Sequence, residues 1–198
     1  MFNSYLEEIR RPRIVVCFVG KFNPFHKGHY ETYKELRSKF AYVDICTKLD
    51  SDGFLTAEQK KELIVLSGVP VGSIRHLVGS GYSIESLSQS AKVGKSNILI
   101  AAFSEKDMEE KQNLLQPPKK GGPAAWELMP KNDTEMTAVG NGPKPHGYIY
   151  ITPSLKIGVS EISSSRIRKA VDNKNWNLVY QMMANEKAFD FLKKIKGK

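Results

Sequence analysis

Apolar positions along this chain fall into short unbroken runs, separated by longer stretches with helical spacing. The run "RIVVCFVG", residues 13 to 20, is β-branched and apolar and stops at Gly20, which predicts a fully buried strand. Residues 28 to 40 follow with Tyr30, Tyr33, Leu36 and Phe40 near a helical repeat. "AYVDICTK" predicts a second strand, and "LTAEQKKELIVLSGV" a helix that Thr56 caps and Gly68 stops. "SIRHLV" reads as a short third strand, "SIESLSQSAK" as a helix and "NILIAAF" as a fourth buried strand. Strands that alternate with helices, and are apolar throughout rather than every second residue, predict an α/β fold with a parallel sheet covered on both faces.

The alternation then breaks. Residues 111 to 147, "KQNLLQPPKKGGPAAWELMPKNDTEMTAVGNGPKPHG", are rich in Pro, Gly, Lys and Asn. So long a stretch without periodicity reads as a flexible insertion or a lid over a site, with Trp126 and Leu128 as candidate anchors. "YIYIT" is expected to be the fifth strand, and "SSSRIRKAV", "NWNLVYQMM" and "KAFDFLKKI" to be C-terminal helices. No internal repeat is visible.

Composition narrows the class. The chain has 198 residues, enough for one domain with a sizeable core and short for two. No apolar run approaches the roughly 20 residues needed to cross a bilayer, and "MFNSYLEEIRRPR" has no apolar core behind a basic head, so neither a membrane span nor a secretory signal is expected. A cytoplasmic location follows as the default. Cys17 and Cys46 both lie in predicted strands, and no CxxC pair offers a thiolate zinc framework. They read as small buried hydrophobes. Lys and Arg outnumber Asp and Glu by 30 to 21, for a net charge of +9. The excess suits a polyanionic partner without saying which. Part of it is terminal, in "RRPR" at 10 to 13 and "KKIKGK" at the end.

Candidate chemistry begins where the first strand ends, at "GKFNPFHKGH", residues 20 to 29. In an open α/β sheet, ligands bind beyond the carboxyl ends of the strands. Glycine lets backbone approach a bulky anion, and the N-terminus of the next helix offers unpaired N–H groups with about half a positive charge. His26 and His29 add side-chain donors and Lys21 a full charge, a set suited to a triphosphate whose charge redistributes during reaction.

The full pattern Gly-x-Phe-x-Pro-x-His-x-Gly-His resembles the signature of the HIGH-superfamily nucleotidylyltransferases. Its wording is most similar to the nicotinamide-mononucleotide adenylyltransferase branch and to bacteriophage nucleotidylyltransferases. Near the other end, "EISSSRIRKAV" is similar to that family's second signature, Ile-Ser-Ser/Thr-x-x-Ile-Arg, through Ile162, Ser163, Ser164, Ile167 and Arg168. The residues themselves agree: serines there can cap a helix and donate to phosphate oxygens, and Arg168 falls one turn in. The resemblance implies a Rossmann-like, doubly wound parallel sheet of about five strands with C-terminal helices, in one domain over residues 1–198. It implies catalytic roles for His26, His29, Lys21 and Arg168, and nucleotide binding by Gly20, Phe22, Asn23, Pro24, Gly28, Ile162, Ser163, Ser164 and Ser165. Lys21 stands where the family usually has Arg or Thr, and lysine keeps the charge without the bidentate fork.

The activity implied is transfer of a nucleoside monophosphate from a nucleoside triphosphate to a phosphorylated small-molecule acceptor, with Mg²⁺ arriving on the nucleotide. ATP and nicotinamide mononucleotide are the first choice. Phosphopantetheine, or a CTP-dependent cytidylyl transfer, are the alternatives. Nucleic acid is a less favoured partner, for a module that kept the cradle and lost the chemistry; a homo-oligomer is in keeping with the family. A third landmark, Gly-x-Asp after a strand, is altered here to "NILIAAFSEKD" with Ser104, Glu105 and Asp107. In "LTAEQKKELI", Lys60 and Lys61 replace a usual arginine, so that helix reads as structural. "VGKSN" at 93 to 97 is not a phosphate loop, because the required earlier glycine is Gln89 and the segment precedes a strand. "GSGYS" at 79 to 83 lacks a third glycine and reads as a loop after the third strand; His76 and His146 stand alone.

Overall fold

In this computed structural model the chain is described over residues 12–50, 53–78, 82–117, 122–142, 145–153, 156–157 and 160–197. The first apolar run forms β1 (Ile14–Val19), followed by α1 (Lys27–Lys39), β2 (Tyr42–Thr47), α2 (Ala57–Leu66), β3 (Ile74–His76), α3 (Ile84–Ser90) and β4 (Ile98–Ser104). A short α4 (Glu105–Glu110), β5 (Trp126–Leu128) and β6 (Gly147–Thr152) follow. An antiparallel ribbon of β7 (Lys156–Ile157) and β8 (Ser160–Glu161) then leads to α5 (Ser164–Asp172), α6 (Trp176–Met182) and α7 (Glu186–Lys196).

The capping chemistry read from sequence is present. Thr56 accepts the Gln59 N–H at 3.2 Å while the Gln59 side chain accepts the Thr56 N–H at 3.0 Å, a reciprocal capping box at the start of α2. Gly68 ends that helix at φ +106°, a left-handed conformation, and a Cβ there would also meet the Tyr30 hydroxyl at 2.7 Å. Segment 93–97 is a turn before β4, closed by Asn97 N–H to the Gly94 carbonyl at 3.0 Å, as its rejection as a phosphate loop requires. Residues 79–81 of "GSGYS" lie outside the described residues.

The sheet has six strands in the order β3-β2-β1-β4-β6-β5, all parallel. Side chains alternate between its faces, and both faces are covered. Val15, Cys17, Val19, Leu99, Ala101 and Phe103 pack with Ile84 and Leu87 of α3. Val16, Phe18, Ile100 and Ala102 pack on the other side with Tyr33 and Leu36 of α1 and Ile64 of α2. Cys17 and Cys46 are free and buried, as expected. A third cluster joins Leu63 of α2 to Ile167, Val171, Val179, Met182 and Leu192 of the C-terminal helices.

The expected count of about five strands is corrected to six, and the sixth comes from the stretch that carried no periodicity. Within residues 111–147, β5 lies parallel at the sheet edge, with Trp126 opposite Gly147. Trp126 is 3% exposed and donates its indole N–H to the Tyr82 carbonyl at 3.1 Å, so it anchors the segment. Leu128, at 55% exposure, does not. A Cβ on Gly147 would come within 2.8 Å of the Trp126 ring, so glycine there leaves room for the indole. A three-residue strand amid Pro and Gly is too short for alternation to register.

Chain order along the sheet runs outward from β1 to β3 and then returns to place β4 on the other side of β1. The crevice where the direction reverses lies beyond the carboxyl ends of β1 and β4, where doubly wound sheets hold ligands. Residues 20–29 leave β1 on one side of it, and Ser104 with α4 leaves β4 on the other.

Candidate active site

The turn out of β1 is built from aromatic rings. Gly20 extends the β1–β2 pairing through its N–H to the Cys46 carbonyl at 3.3 Å, and the Lys21 carbonyl accepts the Thr47 hydroxyl at 3.3 Å. A Cβ at Gly20 would meet the Phe22 ring at 2.8 Å, which is why the first glycine of the pattern is needed. Phe22 sits at φ +47°, a strained conformation for a bulky residue. Its ring packs against Phe18 at 5.1 Å, Phe25 at 5.5 Å and His29 at 4.8 Å, centroid to centroid. The Asn23–Pro24 peptide is cis.

His26 ends the turn and opens α1 as its N-cap, with extended backbone and its ring Nδ1 accepting the His29 N–H at 3.4 Å. That acceptance places the ring's own proton on Nε2 and leaves Nε2–H as its free donor. The His29 ring stacks on it at 3.5 Å between centroids and 20° between planes. Burial pushes the His26 imidazole down to about 3. His29 lies well below the usual histidine range, first through burial and then through the neighbouring His26. With both values lowered by burial, the two rings are neutral at neutral pH. The first turn of α1 contains no acidic residue, so no carboxylate of that turn offsets the positive end of the helix. Two buried polar atoms here lack a hydrogen-bond partner among the described residues, His29 Nδ1 and Asn23 Oδ1.

The second motif docks on the first. Ser163 caps α5 by accepting the Arg166 N–H at 3.4 Å, and its hydroxyl lies 3.1 Å from that of Ser165. The Ser164 hydroxyl donates to the Pro24 carbonyl at 3.0 Å, and the Arg168 guanidinium donates to the Asn23 carbonyl. Residues 140 and 145 positions apart therefore meet at the dipeptide before the histidines. Sequence reasoning placed Ser164 and Arg168 at the phosphates and missed this tether; backbone carbonyls leave no mark in a side-chain pattern.

The remaining candidates divide by burial. Phe22 and Ile162 are 2% and 4% exposed inside hydrophobic clusters, so they support the walls from beneath. Pro24 and Gly28 are buried in the turn and in the first turn of α1. Lys21 and Ser165 are exposed. On the far wall, the Ser104 hydroxyl accepts the Asp107 N–H at 3.1 Å and donates to the Asp107 carboxylate at 2.9 Å, so the altered third landmark caps α4 beside the crevice. Lys60 turns inward and donates to the Lys48 carbonyl at 3.1 Å, a structural task at the exit of β2. His76 accepts the Leu49 N–H at 3.0 Å, and His146 lies 3.0 Å from the Thr137 hydroxyl.

No family model matches the sequence, and no curated protein does. Solved structures match its fold. The chain superposes on Plasmodium falciparum nicotinic acid mononucleotide adenylyltransferase, complexed with NaAD, with a TM-score of 0.58 at 12% identity, covering 92% of this chain and 96% of that one. A putative nicotinate-nucleotide adenylyltransferase from Vibrio parahaemolyticus gives 0.53 at 14% identity, over 92% and 93% of the two chains. A bifunctional NMN adenylyltransferase/ADP ribose pyrophosphatase from Francisella tularensis gives 0.54 at 16% identity, over 94% of this chain and 50% of the longer one. The parallel sheet, its switch point and its C-terminal helices thus form the α/β fold of the nicotinate- and nicotinamide-mononucleotide adenylyltransferases.

Proposed function

We propose that the chain is a nucleotidylyltransferase that transfers AMP from ATP to a phosphorylated acceptor, nicotinamide mononucleotide first among them, giving NAD and pyrophosphate. One observation carries this reading: two stacked neutral imidazoles sit at the N-terminus of α1, on a turn held by Ser164 and Arg168 of α5. In the reaction, a phosphate oxygen of the acceptor attacks the α-phosphorus of ATP in line. A new P–O bond forms, the bond to the β-phosphate oxygen breaks, and that oxygen leaves with the electron pair as part of pyrophosphate.

No covalent enzyme intermediate is needed, so catalysis reduces to positioning and to stabilising charge on the leaving phosphates. His26 donates through Nε2–H, and His29 donates from a ring held by Phe22 and Phe25. Lys21 and the part of the Arg168 guanidinium not bound to Asn23 add positive charge. The helix terminus supplies N–H groups without a carboxylate of its own turn to compete. Magnesium belongs to the substrate here, as the magnesium–nucleotide complex. The donor set fits that assignment, being imidazole, hydroxyl and cationic groups suited to phosphate oxygens.

Pyrophosphate release measured with ATP and CTP across nicotinamide mononucleotide, nicotinate mononucleotide, phosphopantetheine and a phosphorylated alcohol tests both the activity and the acceptor. Turnover is expected with ATP and a pyridine mononucleotide. His29→Ala is expected to cut it by about 10²- to 10³-fold, as loss of one charge-stabilising donor does elsewhere, with the fold retained by circular dichroism. Wild-type turnover in that variant would end the mechanism. Silence across the panel, with nucleic-acid binding that falls steeply with salt, would favour the binding-module reading instead.

A further inference from the structure

At the opposite rim of the sheet, where β1, β2 and β3 begin, the described residues line a half-open cavity of about 340 Å³. Six residues of β1 separate it from the catalytic turn, about 20 Å at the usual rise per residue. A ligand there would leave the histidines free.

The cavity is lined by Arg13, Arg37, Arg75 and Lys92 against a single carboxylate, Asp44. Asp44 is already taken, accepting Arg75 Nε at 2.9 Å. In the later turns of α1, Lys34 pairs with Glu31 at 2.6 Å and Lys39 with Glu35 at 2.6 Å. Arg13 and Lys92 have no ion-pair partner among the described residues, and Arg37 acts on Asp44 only at longer range, with no direct ion pair. Arg37 is instead steadied by donating to the Ala41 carbonyl. Arg13 lies over the Tyr42 ring at 4.4 Å, and Tyr42 as a residue is 47% exposed. A Cβ at Gly72 would meet nothing within 4 Å, so this wall is open.

Gathering like charges around a concavity costs repulsion unless an anion offsets it. Arginine forks match phosphate oxygens, and an exposed aromatic ring suits a flat organic group. We propose that this cavity is a second phosphate-binding site, taking a small phosphorylated ligand of nucleotide size. Arg37, Arg75 and Lys92 hold the phosphate, and Tyr42 with Arg13 holds the organic part. A cavity of about 340 Å³ suits one small molecule, and pairing of Lys34 and Lys39 interrupts the cationic stripe a nucleic-acid track would use.

The test is calorimetric titration of AMP into the full chain, wild type against an Arg37→Gln/Lys92→Gln double variant and against His29→Ala. Both pocket side chains are exposed; matching melting curves, with Arg13→Gln as a second pocket variant, control for folding. Wild type is expected to show AMP binding at the pocket that the double variant weakens by about 10- to 100-fold. His29→Ala is expected to leave that event in place, and the double variant to leave any pyrophosphate release unchanged. AMP binding that ignores the pocket substitutions overturns the proposal. Pocket substitutions that weaken binding of a short single-stranded RNA and not of AMP also overturn it, and assign the surface to nucleic acid.

Discussion

His26 is a helix cap and one of the two stacked imidazoles, and burial sets its protonation. The folded imidazole titrates at about 3 against 6.5 in a solvated chain. Between those values the unfolded chain binds a proton that the folded protein excludes. The stability from this site is therefore complete above pH 6.5 and is lost as pH falls toward about 3. His29, also depressed, acts with the same sign. Urea unfolding at pH 7 and pH 4.5 is expected to show a lower midpoint in acid. His26→Asn keeps a capping acceptor and removes one titrating ring, so its acid loss is expected to be smaller than that of wild type. Equal losses would mean that this imidazole is solvated.

Between elements, α5 reaches back to the first turn through Ser164 and Arg168. Ser164→Ala removes one neutral hydrogen bond to the Pro24 carbonyl and should cost about 1 kcal/mol of stability. Because that bond steadies the turn that presents the histidines, kcat/KM for ATP is expected to fall severalfold while α5 stays capped by Ser163. A thermal melt together with steady-state pyrophosphate release checks both halves; a stability loss with unchanged kcat/KM would reduce the bond to packing. Elements were legible wherever their signals are local. β1, α2 and β4 show as runs and caps within a few residues. β5 was hidden because its three residues gain strand character only from pairing with β6 and from the Trp126 anchor.

Across the whole molecule, α2 holds the sheet and the C-terminal helices together. Ile64 faces the sheet cluster and Leu63 the helical one. The Asn185 amide at the start of α7 donates to the Leu66 carbonyl at 2.9 Å. Since α5 belongs to the same helical group, the geometry of the site depends on this junction. Leu63→Ala, which empties a fully buried position, is expected to cost about 2–5 kcal/mol. Loss of turnover is expected at lower urea than loss of the sheet's circular dichroism. Coincident loss would show one cooperative unit.

The amino-acid order alone determined what a few neighbouring residues decide: buried strands, capped helices, the parallel class, and the two motifs at Gly20–His29 and Ile162–Arg168. Those are properties of local backbone preference and short-range periodicity. Only the tertiary structure decided the six-strand order, the stacking of His26 on His29, the tether from α5 to Asn23 and Pro24, and the basic cavity at the far rim. Each joins groups brought together by packing the whole chain: parallel pairing and helix docking are selected by the apolar area they bury together, and no window of neighbouring residues contains that sum.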